Sequence, residues 1–193
     1  EELSAEELNQ IPDNCCGKYI DPSANLETQE NEPINSETTF LTNTGLSQTN
    51  QNLITIEGDV SVQQGYRTII NDNDTIIDQD SNTILMDGNV EFREPGILLL
   101  GSSASIDNDD SINRVENAHY VLHNYGAHGN ANSIVYSADT GLVTIENGEF
   151  SRCEPGSNFW KLRADNIILD QESNRGYAEN VSLRIGDVPI FYY

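Results

Sequence analysis

The sequence predicts an all-β protein, and three observations support that class. Apolar and polar residues alternate with a period of two along several short segments, which is typical of strands with one buried face. These segments recur about every 30 residues, separated by polar turn residues. No helical segment lies between them, which disfavours α/β folds with helical crossovers. A stacked array of two-strand units remains, either a β-helix or a β-sandwich of the jellyroll kind.

The first 52 residues differ in composition from the rest of the chain. They contain ten acidic residues, one basic residue and few large apolar residues. Such a composition does not bury enough apolar surface to fold by itself. We therefore predict a flexible acidic segment at residues 1–52 and a β domain at residues 53–193. Within the flexible segment, residues 15–20 form a small patch that could be held in an ordered position.

The first strands of the β domain are predicted at residues 53–62 and 84–92. Both segments place apolar residues at alternate positions, with mostly polar residues between them. One face of each strand should therefore be buried and the other exposed to solvent. Because residues 53–62 directly follow the acidic segment, they are the candidate for an open edge of the array.

A pair of residues, an acid followed by Gly or Asn, marks each repeat. The pairs begin at Glu57, Asp87, Glu116, Glu146 and Glu179, in steps of 30, 29, 30 and 33 residues. A second acid precedes each of the last four pairs by seven residues, at Asp80, Asp109, Asp139 and Glu172. A catalytic carboxylate pair would be expected once, so this recurrence favours a role in turns over glycosidase chemistry. The alternation changes phase near the last two pairs, and bulges at Gly148 and near Asn180 would explain the change.

The charge of the chain excludes some functions. With 32 acidic and 9 basic residues, the formal charge is −23 and the isoelectric point is about 4.1. Binding to nucleic acid is excluded because phosphate neutralisation requires Lys and Arg. No apolar run reaches the length of a membrane-spanning helix.

Candidate metal and catalytic residues give weak patterns. His119, His123 and His128 lie close together in sequence, but nothing completes a metal site, so strand and loop histidines that face solvent are expected. The acidic runs at residues 71–74 and 107–110 lack the Gly and terminal Glu of an EF-hand and are interpreted as solvated turns. No metal, no cofactor and no enzymatic activity is predicted.

The most specific segment is NGEFSRCEPGSNFW at residues 147–160, which contains the only Trp of the chain. It resembles the NGxFTxCxPGxxxW motif of the lipopolysaccharide (LPS)-assembly outer-membrane protein family, LptD (OstA, Imp). The end of the chain, GDVPIFYY at residues 186–193, is similar to the segment with which that family enters its barrel. Residues 15–20, with two adjacent cysteines, resemble the family's N-terminal cysteine region.

The resemblance implies a jellyroll in the periplasm, as part of an outer-membrane protein whose transmembrane barrel would begin where this chain stops. It implies that the domain accepts LPS from an LptA-like bridge protein. The two proteins would be joined by β-strand addition at an open edge. A LptE-like lipoprotein would be a partner through the barrel. Cys153 matches the motif cysteine, and Cys15 or Cys16 matches the N-terminal one. In the family these pair with barrel cysteines, so all three are disulfide candidates, and here Cys153 would be free or paired with Cys15 or Cys16.

Under the jellyroll interpretation, the inward-facing apolar residues would line a slot for acyl chains, although an ordinary packed core accounts for the same residues. The candidates are Ile54, Ile56, Val60, Val62, Ile84, Met86, Val90, Phe92, Ile106, Ile134, Tyr136, Val143 and Ile145. Pro189 and Phe191 would lie on the side from which lipid leaves toward the barrel. The alternatives are a bridge component of the same pathway, a β-repeat domain that binds or cleaves polysaccharide, and an adhesin or structural spacer.

Overall fold

A computed structural model describes residues 19–21, 39–42, 45–48, 52–64, 67–137, 139–154, 157, 159–170, 173 and 175–193. Within these ranges the chain forms antiparallel strands and one 3-10 helix at His123–Tyr125, which confirms the predicted all-β class. The strands are β1 (Thr39–Thr42), β2 (Gly45–Gln48), β3 (Leu53–Glu57), β4 (Val60–Gln64), β5 (Arg67–Asn71), β6 (Thr75–Asp78), β7 (Thr83–Glu94), β8 (Ile97–Asp107), β9 (Ile112–Leu122), β10 (Ala127–Ser137), β11 (Leu142–Phe150), β12 (Trp160–Asp170), β13 (Arg175–Glu179), β14 (Ser182–Ile185) and β15 (Val188–Tyr192). Among the described residues, no helix has the length and hydropathy needed to cross a membrane.

The long strands β7 to β12 each contribute to two half-sheets. In the first half-sheet, the N-terminal end of β7 continues through β6 and β3 to β2. In the second, the C-terminal end of β7 continues through β5 and β4 to β1. At the other end of the array, β12 pairs with β13 in the first half-sheet and with β14 in the second, and β15 then follows β14. Two half-sheets joined through six shared strands form the jellyroll that the resemblance implies.

The repeated acid–Gly/Asn pairs mark the corners between the half-sheets. The second residue of every pair has a positive φ, at Gly58 (78°), Gly88 (144°), Asn117 (49°), Asn147 (49°) and Asn180 (54°). Gly and Asn tolerate this backbone region better than other residues, because most side chains clash there. The 30-residue period is therefore the spacing of one positive-φ corner per two-strand unit. The corner in β11 lies at Asn147, one residue before the predicted bulge at Gly148.

Three of the acids that precede the corners by seven residues, Asp80, Asp109 and Asp139, lie in the turns of the first half-sheet, and Glu172 lies outside the described residues. Asp78 Oδ1 accepts hydrogen bonds from the backbone of Asp80 (2.9 Å) and Ser81 (3.4 Å), and Asp107 closes the next turn in the same way. Asp80 and Asp109 themselves accept side-chain amides from the neighbouring unit. These contacts support the interpretation of the repeated acids as turn residues.

Asn147 gives a direct test of the corner geometry. Its side chain is exposed, so the main constraint on the residue at this position is the positive φ of its backbone. Replacing Asn147 with Ala should lower the free energy of unfolding by about 1 kcal/mol, since an alanine at positive φ is strained. The matched Asn147→Gly variant should remain within about 0.5 kcal/mol of the parent. Urea denaturation of both variants measures the difference, and equal losses would contradict the backbone explanation.

Two buried clusters fill the space between the half-sheets. The first contains Ile56 and Met86 of the first half-sheet together with Val60, Val62 and Val90 of the second. The second cluster also draws on both half-sheets and is centred on Ala118, Tyr120, Ala131 and Ile145. Residues from both half-sheets share each cluster, so the two inner faces pack against each other.

The start of the array differs from the predicted edge. Residues 53–62 are not an edge: β3 pairs with both β2 and β6, and β4 pairs with both β1 and β5. The edge strands at this end of the array are instead β1 and β2, which lie inside the segment predicted to be flexible. Most of residues 1–52 lie outside the described residues, so the boundary at residue 53 stays a prediction.

Candidate functional site

In the first half-sheet, the strand register places nine predicted slot residues in two inward rows. One row contains Ile56, Met86, Ile134 and Ile145. The other row contains Ile54, Ile84, Ile106, Tyr136 and Val143. Cross-strand neighbours on one face stand within contact distance of each other, so each row is a continuous strip of side chains.

In the second half-sheet, the remaining four predicted residues also share the inner face. Val60 and Val90 are buried next to the corners, each paired with Asn71 of β5. Val62 and Phe92 lie further from the corners, each paired with Ile69. All thirteen candidates are therefore on one continuous inner surface, and its use for lipid remains a prediction.

Sequence reasoning missed many residues of this inner surface. They are Ile69, Ile77, Leu99, Ala104, Val115, Ala118, Tyr120, Leu122, Ala131, Ile167 and Leu169. The corner at Asn117 explains the omissions in β9, because the alternation changes phase there as the strand passes from one half-sheet to the other. In β9, Val115 and Ala118 both face inward although they are three residues apart. Restarting the alternation after Asn117 finds Ala118, Tyr120 and Leu122.

The row that begins at Ile54 lies at the mouth of the inner surface. Its members Ile84, Ile106, Tyr136 and Val143 are half-buried, whereas Ile56 and Met86 in the adjacent row are 3% and 2% exposed. The row crosses eight strands from β3 to β12, about 34 Å at the usual strand spacing. We call it the mouth row. A separate cavity of about 230 Å³ opens on the outer face beside Leu85 and Arg114, and it is not the predicted slot.

Tyr120 crosses the inner surface of the second half-sheet to reach another strand. Its hydroxyl donates a 2.8 Å hydrogen bond to the backbone carbonyl of Glu149 in β11. Burial, assisted by the charge of Glu149, raises the pKa of Tyr120 well above its usual value. Gly129, opposite Tyr120 in β10, leaves room for this contact, since a Cβ there would lie 1.7 Å from the Glu149 oxygen.

The acidic run at residues 71–74 is occupied by structural contacts. Asp72 accepts hydrogen bonds from the side chain (2.6 Å) and backbone (2.7 Å) of Asn89, and these bonds lower the pKa of Asp72. Asp74 accepts the backbone N–H of Gly58 at 2.8 Å. In the part of the chain that the structure describes, no group of three His, Cys, Asp or Glu residues is arranged to hold a metal.

The three histidines occupy different environments. His119 faces Asn130 across the strand pair, with Nδ1 2.8 Å from Oδ1. His128 Nε2 donates a 3.1 Å hydrogen bond to the backbone carbonyl of Cys153, and burial lowers the pKa of His128. The expectation that all three face solvent is wrong for His123, which is 8% exposed. The adjacent 3-10 helix and Gly96 carbonyl hold its backbone in place.

Of the three cysteines, the structure describes Cys153. The thiol of Cys153 is buried, at 1% exposure, and its Sγ lies 3.7 Å from the backbone carbonyl of Trp160. Cys15 and Cys16 lie outside the described residues. The disulfide assignments of all three therefore stay predictions.

The predicted exit residues lie on the last strand of the second half-sheet. Pro189 is half-buried, and Phe191 is 57% exposed and pairs with Leu183. Val188, Ile190 and Tyr192 are also exposed on this strand. The strand pairs only with β14 among the described strands, so it is an apolar edge.

Comparison with known proteins gives the family. Residues 42–175 match the family described as LptA/(LptD N-terminal domain) LPS transport protein. Relatives named LPS-assembly protein LptD are 32% identical in Pseudomonas fluorescens and 34% identical in Pseudomonas entomophila and Saccharophagus degradans. These alignments cover the whole chain but only 20–22% of each relative, so the chain spans about a fifth of their length.

Among solved structures, LptH, the LptA homologous periplasmic component of the LPS transport device of Pseudomonas aeruginosa, matches 78% of this chain and 95% of its own. The two share 12% identity, with a TM-score of 0.31. The family match covers most of the described strands, from β2 to the start of β13. The chain belongs to the LptA/(LptD N-terminal domain) LPS transport protein family.

Proposed function

We propose that this domain receives LPS in the periplasm and conducts its acyl chains between the two half-sheets toward the outer membrane. The mouth row is the observation that carries the proposal. It is a half-buried strip that crosses eight strands without a turn or corner, and it is apolar on every strand except β9, where Asn113 occupies the row. An acyl chain could move along such a strip, across the paired strands from one end of the sheet to the other.

Acyl burial supplies enough free energy for this role. Each CH₂ group moved from water to an apolar surface gains roughly 0.8 kcal/mol. LPS is itself anionic, and the chain carries a net charge of −23, so attraction of the headgroup by the protein does not explain binding. The lipid would be held by its acyl chains, with the headgroup in water or bridged by divalent cations.

The strand edges fit the partners that the resemblance implies. β1 and β2 each pair with one strand only among the described strands, and an open edge can add a strand from a second protein. We assign this end to an LptA-like bridge protein. The opposite end, with Pro189 and Phe191, is assigned to the exit side, and a LptE-like lipoprotein would act beyond it, through the part of the relatives that this chain does not cover.

Transport is favoured over catalysis because the recurring acids are used in turns and corners. Asp80 and Asp109 lie in turns, and each accepts a side-chain amide from the neighbouring unit. Glu146, at a corner, accepts the hydroxyl of Ser133. A polysaccharide-cleaving site would need a carboxylate pair free to reach a substrate. The domain is therefore proposed to be a conduit and not an enzyme.

Photo-crosslinking tests the proposed path. A photoreactive residue at Ile56 or Phe92, both on the inner face, should crosslink to LPS during transfer. The matched position Glu91, adjacent to Phe92 on the outer face, should give little crosslink. Crosslinks from position 91 that equal those from position 92 would overturn the proposal.

A further inference from the structure

An ion pair stands on the inner face of the second half-sheet, at its open side. Ile69 of β5 and Phe92 of β7 are cross-strand partners on that face. Arg67 and Glu94 lie two residues further from the corners on the same two strands, and alternate residues of a strand share a face. The next strand places Ile97 beside Glu94. A pair of opposite charges therefore stands among apolar residues on the surface that is proposed to hold lipid.

The guanidinium of Arg67 has one side occupied and one side open. Its Nε and Nη2 both donate to the same oxygen, Glu94 Oε2, at 3.2 and 3.1 Å. The guanidinium carbon lies 5.7 Å from the centroid of the Phe92 ring, within the range of a cation–π contact. A guanidinium has five N–H groups, and no described residue accepts the other three. The side formed by Nη1 and Nη2 is therefore available to a second acceptor.

The position of the pair leaves this open side within reach of a headgroup. The side chains of Arg67 and Glu94 are 34% and 22% exposed. Glu94 and Ile84 of the mouth row belong to the same strand and lie on either side of the corner at Gly88. Each therefore lies at the open side of its own half-sheet. A lipid headgroup would remain there while its acyl chains lie between the half-sheets.

The chemistry of the open side fits a phosphate group. The two Nη atoms of a guanidinium form a planar fork that can bind two oxygens of one phosphate. Glu94 holds the other edge of the guanidinium and Phe92 lies under its plane, so little side-chain freedom remains to be lost on binding. The Arg67–Glu94 pair is neutral as a whole. It would therefore give a directed contact and no long-range attraction, and most of the binding free energy would still come from the acyl chains.

We propose that Arg67 binds a headgroup phosphate of the LPS molecule whose acyl chains lie on the inner surface. Glu94 and Phe92 are positioning residues for the Arg67 guanidinium. This inference rests on the proposed function and adds a direction to it, because the phosphate fixes the headgroup at the open side of the second half-sheet. Two strands, β4 and β1, lie between β5 and the edge assigned to the bridge protein. The contact would therefore form early, as the lipid enters the domain.

Crosslinking of the 193-residue chain to two forms of LPS tests the contact. A photoreactive residue at Ile56 reports occupancy of the inner surface as LPS in detergent micelles is added. The two probes are LPS with its phosphates intact and the same LPS after phosphatase treatment. Half-maximal crosslinking of the parent chain should require about tenfold more of the dephosphorylated form, the factor expected for one hydrogen bond to a charged group.

Substitutions of two arginines locate the preference for phosphate. Arg67→Gln should remove it and leave the affinity for dephosphorylated LPS unchanged. Arg67→Lys keeps the charge but loses the planar fork, so it should keep only part of the preference. Arg93→Gln is the matched control, because Arg93 precedes Glu94 in β7, faces outward opposite Leu98 and pairs with Glu91. Its loss should leave the preference intact, and urea denaturation checks that each variant is folded.

The possible outcomes separate this inference from the proposed function. Absence of crosslinking at Ile56 with either form of LPS would overturn both. Crosslinking with equal half-saturation for the two forms would overturn the phosphate contact alone. A preference that survives Arg67→Gln, or that is lost in Arg93→Gln, would do the same. If inorganic phosphate without lipid shifts the Arg67 Nε–H nuclear magnetic resonance signal to saturation, the site binds a free anion and its assignment to the lipid is wrong.

Discussion

Replacing Gly129 with Ala is expected to lower the free energy of unfolding by about 3 kcal/mol, as severe overpacking of a close backbone contact does. The added Cβ would lie 1.7 Å from the Glu149 carbonyl oxygen and 2.7 Å from the Tyr120 hydroxyl. The first of these is a backbone atom, which cannot move aside by a rotamer change. The same Cβ would also break the hydrogen bond from Tyr120 to Glu149.

Gly176 provides the matched control in β13. A Cβ there would lie 3.1 Å from the end of the Leu169 side chain and 3.7 Å, an ordinary contact distance, from the Ile168 carbonyl oxygen, and β13 is exposed along its length. Gly176→Ala should therefore change the free energy of unfolding by less than about 1 kcal/mol. Urea denaturation of the two variants makes the comparison. Similar free energies of unfolding for both variants would show that β10 and β11 do not approach as closely as described.

The sequence alone predicts the inner face well where the alternation is uninterrupted. β7 carries Ile84, Met86, Val90 and Phe92 at even positions through its whole length, and all four face inward. In β9 the corner at Asn117 shifts the phase, so Ala118 and Tyr120 were not identified. A corner at positive φ resets the alternation in β9 but not in β7, where a register shift between Asp87 and Val90 accompanies Gly88 and keeps the apolar residues at even positions.

Features that depend on distant parts of the chain were not predictable from local pattern. β1 and β2 lie in a polar, acidic segment, and they are strands because β4 and β3 offer them an edge. His123 is a loop residue in sequence, and contacts with Tyr19 and Gly96, remote in the chain, surround it. The requirement for glycine at position 129 comes from the close approach of Glu149 in β11, which the local sequence around Gly129 does not show.

A carboxylate in the mouth row should obstruct the proposed path without unfolding the domain. Val143 lies in this row and is half-buried, packed against the second core cluster. The Val143→Glu side chain can turn toward solvent at the mouth, yet its charge would have to be desolvated for an acyl chain to lie across it. Losing even two buried CH₂ contacts removes about 1.6 kcal/mol of binding free energy. We expect at least a tenfold loss of LPS transfer, since 1.4 kcal/mol corresponds to a factor of ten.

Thr144 is the control because it is the next residue of the same strand and faces the opposite side. It pairs with Val135 and Ile168 on the outer face of the first half-sheet. Thr144→Glu adds the same charge to the same strand, so it controls for net charge, strand propensity and electrostatic repulsion of an anionic lipid. Transfer of LPS from a loaded bridge protein, measured for both variants at matched stability, separates the two faces. If Thr144→Glu impairs transfer as much as Val143→Glu, acyl chains do not travel along the mouth row, and the conduit must lie elsewhere on the domain.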